Sequence, residues 1–103
     1  MSKNSFNERC YEILKKVPRG KVTTYKEIAQ ALKSKGYRAV GNAMNKNPYA
    51  PKIACHRVVC SDGKVGGFAL GQKNKIKLLK KEGIKIINGK IDLKKFGFRK
   101  FYK

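Results

Sequence analysis

Thr24-Tyr25-Lys26-Glu27-Ile28-Ala29-Gln30-Ala31-Leu32, followed beyond Gly36 by Arg38-Ala39-Val40-Gly41-Asn42-Ala43-Met44, is the stretch that decides the fold. Thr24 and Glu27 form a capping box, in which each side chain can satisfy the other's free backbone N–H, so a helix opens there. Ile28, Ala29 and Leu32 make its apolar face. In the second segment Val40, Ala43 and Met44 share one side. Two short helices joined by a tight, Gly-containing turn form a helix-turn-helix pattern. In such a unit the second helix is the one that meets DNA. Spacing alone is a weak pointer, because most small α-hairpins bind no nucleic acid.

Outward from this pair, Val22-Thr23-Thr24 is β-prone. Ser5-Phe6-Asn7-Glu8 is another capping box, and behind it Phe6, Cys10, Ile13, Leu14 and Val17 fall on one helical face. Pro18-Arg19-Gly20 stops that helix, and Cys10 on its stripe is expected to act as a small hydrophobe. Downstream, Asn47-Pro48 and Pro51 break the helix before Ile53 to Val59. Val58 and Val59 with Val65 flank Ser61-Asp62-Gly63, which reads as a hairpin turn. Gly66-Gly67-Phe68 reads as a flexible segment before a helix over roughly 72–82, with Ile76 and Leu79 inward and Gly83 as its cap. Asn88-Gly89 between Ile84–Ile87 and Lys90–Leu93 is the strongest hairpin signal in the chain. The basic tail, 94–103, carries Phe96, Phe98, Phe101 and Tyr102. These rings either stack on bases or lie back on the core, and the second is expected because a small domain needs the apolar area.

At 103 residues the chain has room for one domain, 1–103, and its 41% hydrophobic content is enough for a small packed core. Lys and Arg number 26 against 6 Asp and Glu, a formal charge of +20. So large a charge on so small a body is costly in self-repulsion and makes sense beside a polyanion: nucleic acid first, an anionic membrane surface second. The bland alternative is a lysine-rich background. No apolar run approaches the ~20 residues that span a bilayer, and the first residues lack the apolar core of a signal peptide. Three cysteines, Cys10, Cys55 and Cys60, cannot all pair within one chain, which points to a reducing intracellular setting and free thiols. No metal is expected, since Cys55-His56 with Cys60 offers neither a CxxC pair nor a second histidine.

Cys55-His56 is the one place where a nucleophile and a base are neighbours, and His56 is the only histidine. A free thiol with a pKa near ~8.5 is only slightly ionised at neutral pH, so an imidazole or nearby cations must favour the thiolate. A lone Cys-His dipeptide usually means nothing, and neighbours on a strand point to opposite faces. The surrounding residues carry the reading further. Ala54-Cys55-His56-Arg57-Val58-Val59 resembles the Pro-Cys-His-Arg-Val signature of the O6-alkylguanine-DNA alkyltransferases. Gly20-Lys21-Val22-Thr23-Thr24-Tyr25 with Ile28-Ala29 is similar to that family's helix entry. Arg38 to Met44 is similar to its recognition helix, and Asn47-Pro48 to its hinge. Gly66 to Gly71, with Leu78-Leu79 and Glu82-Gly83, is similar to its loop and closing helix. The matches run collinearly from about Phe6 to Ile84.

The resemblance implies an α+β chain with a winged helix-turn-helix and short β-hairpins. It also implies a DNA repair protein that flips O6-alkylguanine from double-stranded DNA and accepts the alkyl group irreversibly, without a cofactor. Carried over by position, Cys55 is the nucleophile, His56 its base acting through a water, and Glu82 the group that orients His56. Tyr25 would donate to N3 of the flipped guanine. Arg38 would fill the vacated stack, with Ala39, Gly41 and Asn42 beside it on the DNA-binding helix. Asn47 would hold the hinge, the Val58 carbonyl would accept from the exocyclic amine, and Phe68 would wall the alkyl pocket. Each residue has a plainer alternative: Tyr25 as a packing aromatic, Arg38 as one surface cation among 26, Glu82 as an ion-pair partner on its own helix. The last is weakened because Leu78 and Leu79 occupy the positions one turn back. Two departures stand out. Ala54 replaces the usual proline, and the N-terminal domain of most alkyltransferases is expected to be absent. That size also resembles the alkyltransferase-like proteins, which bind the lesion without repairing it and recruit other factors. Those proteins usually carry tryptophan where this chain has Cys55. A third reading, a nonspecific DNA binder, leaves Cys55, His56, Tyr25 and Glu82 idle. A monomer is expected.

Overall fold

The computed structural model describes residues 5–33, 36–46, 53–67 and 71–98. The chain begins with α1 (Phe6–Leu14), then β1 (Thr23–Thr24), α2 (Tyr25–Ala31) and α3 (Tyr37–Asn45). A single 3-10 turn (Cys55–Arg57) leads into β2 (Val58–Val59). Next come α4 (Gln72–Lys81), the strands β3 (Ile86–Ile87) and β4 (Lys90–Ile91), and the short α5 (Leu93–Phe96).

Both predicted N-caps form. The Ser5 hydroxyl accepts from the Glu8 N–H at 3.2 Å and the Thr24 hydroxyl from the Glu27 N–H at 3.0 Å. The α1 stripe differs slightly from its reading. Tyr11 is buried with Cys10, Leu14 and Val17, whereas Phe6 and Ile13 only flank the core. The Tyr11 hydroxyl donates to the Ala43 carbonyl at 2.7 Å, tying α1 to α3. Val40, Ala43 and Met44 form the buried face of α3, as their spacing predicts.

The turn at Ser61-Asp62-Gly63 forms, with the Cys60 N–H donating to the Lys64 carbonyl, but the ladder expected beside it does not. Val58–Val59 instead pairs in parallel with Thr23–Thr24, and Lys64 bridges to Lys90. A two-residue strand finds the partner that lets it bury both faces. Val58 enters one apolar cluster with Leu14, Ile28 and Val40, and Val59 enters the other with Val22, Leu79 and Ile84. Parallel strands need a crossover, and here the crossover contains the helix-turn-helix itself. The strand pair therefore couples the start of α2 at Tyr25 to the end of the turn at Arg57.

The Asn88-Gly89 hairpin closes as predicted. Asn88 (φ 52°) and Gly89 (φ 74°) both take the left-handed conformation that a two-residue turn requires, with Ile86 opposite Ile91. Phe96 packs on the second cluster and Phe98 on the first; Phe101 and Tyr102 lie outside the described residues. Among the described residues, no helix is long and apolar enough to cross a membrane.

Candidate active site

Cys55, His56 and Arg57 occupy one 3-10 turn, not a strand, so the alternation that would separate neighbouring side chains does not apply. Cys55 is 2% exposed and His56 3%. Glu82, at the C-terminal cap of α4, approaches from 26 residues away. Its Oε2 lies 2.8 Å from His56 Nε2. The same carboxylate is gripped by Arg57, which donates from Nε to Oε1 and from the terminal nitrogen to Oε2, both at 2.9 Å. Arg57 also donates to the Val17 carbonyl at 2.9 Å, anchoring the cluster to the end of the first helical segment.

This geometry sets the charges. Burial alone would push the Glu82 carboxyl up, but hydrogen bonds from Arg57 and His56 and their charges outweigh it and hold it below the usual carboxylate range. Burial pushes His56 below its ordinary value, against the opposing pull of Glu82, and the Arg57 and Lys75 charges add to the lowering. The imidazole is therefore neutral at physiological pH. With Nε2 facing a carboxylate, its proton sits on Nε2 and the lone pair on Nδ1, the arrangement of a base oriented by an acid.

Tyr25 is the first residue of α2. Its ring packs on the first apolar cluster. Burial and the proximity of the Cys60 and Cys55 thiols push its hydroxyl up to about 12, so it stays protonated as a donor. Gly66 shows how tightly this corner is filled. A Cβ there would lie 3.2 Å from Cys60 Sγ and 3.7 Å from both Lys75 Nζ and the Tyr25 hydroxyl, at a φ of +78° that favours glycine. The Gly66–Gly67 segment, read from sequence as flexible, is held at both carbonyls: Gln72 donates to Gly66 at 3.1 Å and Lys75 Nζ to Gly67 at 2.8 Å.

Lys75 and Arg57 were not singled out by sequence reasoning. Lys75 is fully buried, its ammonium 5.9 Å from the Tyr25 ring centroid, and burial lowers its pKa to about 8 despite the opposing thiols. A signal existed: Lys75, Leu79 and Glu82 fall at i, i+4 and i+7, one stripe of α4. For Arg57 the signal was chemical, since only a guanidinium grips both oxygens of a carboxylate.

On α3, Arg38, Ala39 and Asn42 are exposed and Gly41 is half-buried. A Cβ at Gly41 would meet nothing within 4 Å, so internal packing does not demand that glycine. Val58 is fully buried at the start of β2. Asn47 and Phe68 lie outside the described residues. A cavity of about 310 Å³ is lined by Tyr25, Lys26, Tyr37, Cys60 and Ser61. Another, of about 290 Å³, lies between β1, α2 and Phe98; Cys55, His56 and Glu82 line neither of the two. No cluster of three metal-ligating side chains occurs among the described residues.

The sequence profile of the 6-O-methylguanine DNA methyltransferase DNA-binding domain matches residues 5–84. A methylated-DNA–protein-cysteine methyltransferase of Candida glabrata is 47% identical over 92 residues, covering 88% of this chain and 44% of the relative. The crystal structure of the O6-methylguanine-DNA methyltransferase of Pyrococcus kodakaraensis superposes with a TM-score of 0.73 at 45% identity, over 79% of this chain and 47% of that one. Atl1 of S. pombe, solved in complex with damaged DNA containing O6-carboxymethylguanine, gives 0.82 at 28% identity, over 90% and 94%. The chain spans 31% to 52% of the length of the curated relatives it matches. With that profile covering most of its residues, the chain belongs to the family of the 6-O-methylguanine DNA methyltransferase DNA-binding domain.

Proposed function

We propose that this protein repairs DNA by moving the alkyl group of an extruded O6-alkylguanine onto Cys55. The observation that carries this reading is the buried turn in which the Cys55 thiol neighbours a neutral histidine held at 2.8 Å by Glu82. His56 takes the thiol proton, directly or through a water. The sulfur attacks the alkyl carbon in line, forming the C–S bond as the C–O6 bond breaks, and its electron pair leaves on guanine. Tyr25, kept protonated, donates a hydrogen bond to the departing base. Arg38, Ala39, Gly41 and Asn42 form the DNA-facing side of α3, and the low surface at Gly41 permits close approach. The decisive experiment is intact mass after incubation with a duplex containing O6-methylguanine. A gain of one methyl on Cys55 supports repair; unchanged mass overturns it.

A second reading, recognition without repair, has one observation in its favour: the superposition on Atl1 over 94% of that chain. Tight binding to the lesion with no gain in mass would establish it. The retained thiol favours transfer.

Two expected outcomes separate the roles within the site. Tyr25→Phe should slow single-turnover transfer by roughly 10²-fold, as loss of one preorganised donor does. The pH profile of Cys55 reactivity toward iodoacetamide should stay in place, because the phenol acts on the leaving base. Arg38→Ala should slow transfer from duplex DNA far more than transfer from free O6-alkylguanine, which needs no extrusion. Equal losses on the two substrates would assign Arg38 to the pocket or the fold.

A further inference from the structure

Tyr37 is 59% exposed, one of two large apolar side chains so exposed among the described residues. It is the first residue of α3, next to Arg38, and nothing in the reaction described above employs it. Its ring does not serve the core, whose α3 contribution is Val40, Ala43 and Met44. Nor does it cap the helix: Gly36 is the N-cap, with no side-chain hydrogen bond. It does form a wall of the 310 Å³ cavity that Tyr25, Lys26, Cys60 and Ser61 complete. That volume sits at the small end of ligand pockets, the scale of a single planar ring system. Two aromatic side chains, a partly buried one on α2 and an exposed one on α3, thus border one opening, with the Lys26 cation beside them.

We infer that Tyr37 is a stacking platform for the extruded base, holding its π-face at the cavity mouth while Tyr25 addresses its edge. The inference rests on the proposed alkyltransferase reading and adds a positioning residue to it. Enzymes that act on flipped bases hold them between aromatic or apolar side chains, and stacking tolerates any base because every base has a π-face. Tyr37 therefore supplies residence time at the mouth, whereas selectivity among bases stays with the groups that address the base edge. A ring at this position also differs in kind from Arg38. A side chain that fills the vacated stack matters only for duplex DNA, but a platform for the base itself matters for duplex and free base alike.

The test uses the full chain and duplexes with or without O6-methylguanine at one position. Tyr37→Ala should weaken binding to the O6-methylguanine duplex by roughly 5- to 150-fold, the range of one aromatic–base stack. It should leave affinity for undamaged duplex, its salt dependence and the far-UV circular dichroism spectrum unchanged. Tyr37→Phe should behave as the unsubstituted protein, and Tyr37→Leu should fail like Tyr37→Ala. Wild-type behaviour by Tyr37→Leu would reduce Tyr37 to an apolar cover and overturn the inference. Unchanged lesion binding by Tyr37→Ala would overturn it too, while leaving the alkyltransferase reading intact. If the unsubstituted protein neither discriminates the lesion nor gains a methyl, both fall together.

Discussion

Cys55→Ser should lose alkyl transfer entirely while keeping its affinity for duplex DNA. A donor to the departing guanine cannot replace the attacking atom in a displacement at saturated carbon, and a neutral hydroxyl is a far poorer nucleophile than a thiolate. Binding should survive because Cys55 is 2% exposed and lies outside α3, the helix proposed to face DNA. Its cost in fold is small, since serine nearly fills the volume of cysteine. Intact mass with an O6-methylguanine duplex, beside anisotropy on the same duplex, reads both quantities. Neither remaining thiol should substitute. Cys10 is wholly buried, and desolvation pushes its pKa up to about 11, leaving almost no thiolate at neutral pH. Cys60 is partly exposed but is not followed by a histidine as Cys55 is. A methyl mapped by peptide analysis to Cys60 would move the acceptor and overturn the assignment.

Arg57→Ala should be the most destabilising single change at the site. Glu82 is 6% exposed and Arg57 17%, so the pair is largely removed from water. Removing one member of such a pair strands the other charge, typically at about 3–5 kcal/mol. That is a large part of the 5–15 kcal/mol that holds most domains together. Each kcal/mol lowers Tm by roughly 4–8 °C at this size, which a thermal melt resolves easily. Glu82→Gln keeps the shape but leaves the Arg57 charge unpaired and one donor facing the new amide, and it should alter the acid limb of stability in a readable way. The Glu82 carboxyl has a folded pKa below its unfolded one. Its contribution is therefore full above the ordinary carboxylate range and is lost as pH falls through the folded value. His56, lowered by burial, works in the same direction: its contribution is full above about 6.5 and is lost as pH drops below that. Urea denaturation at pH 7 and pH 4 should show a smaller acid loss in Glu82→Gln than in the unsubstituted chain. Equal losses would mean that the lost carboxylate contribution is offset by His56, whose pKa drops further once the pull of Glu82 is gone.

Local chemistry made much of this molecule legible in one dimension. The capping boxes at Ser5 and Thr24 and the left-handed pair Asn88-Gly89 bind or bend residues within four positions, so their geometry follows from neighbours alone. The apolar spacing of Val40, Ala43 and Met44 likewise dictates which face of α3 turns inward. The run Cys55-His56-Arg57, with its neighbours in order, was enough to point to the family. Long-range partners were not legible. The parallel pairing of Val58–Val59 with Thr23–Thr24 spans some 35 residues, and although strand neighbours face opposite sides, nothing local says which apolar cluster each valine enters. Helical spacing puts Lys75 on the stripe of Leu79 and Glu82, but it does not say that the side chain is wholly buried, because a lysine on an apolar stripe is ordinarily free to extend to water. His56 and Glu82 were paired through resemblance, but their 2.8 Å contact, and the grip of Arg57 on the same carboxylate, exist only once α4 packs against the 3-10 turn. Composition and local spacing determine which side chains have the chemistry. Tertiary packing decides which of them lose water together, and that loss converts a histidine, a carboxylate and a guanidinium into one buried, mutually oriented unit.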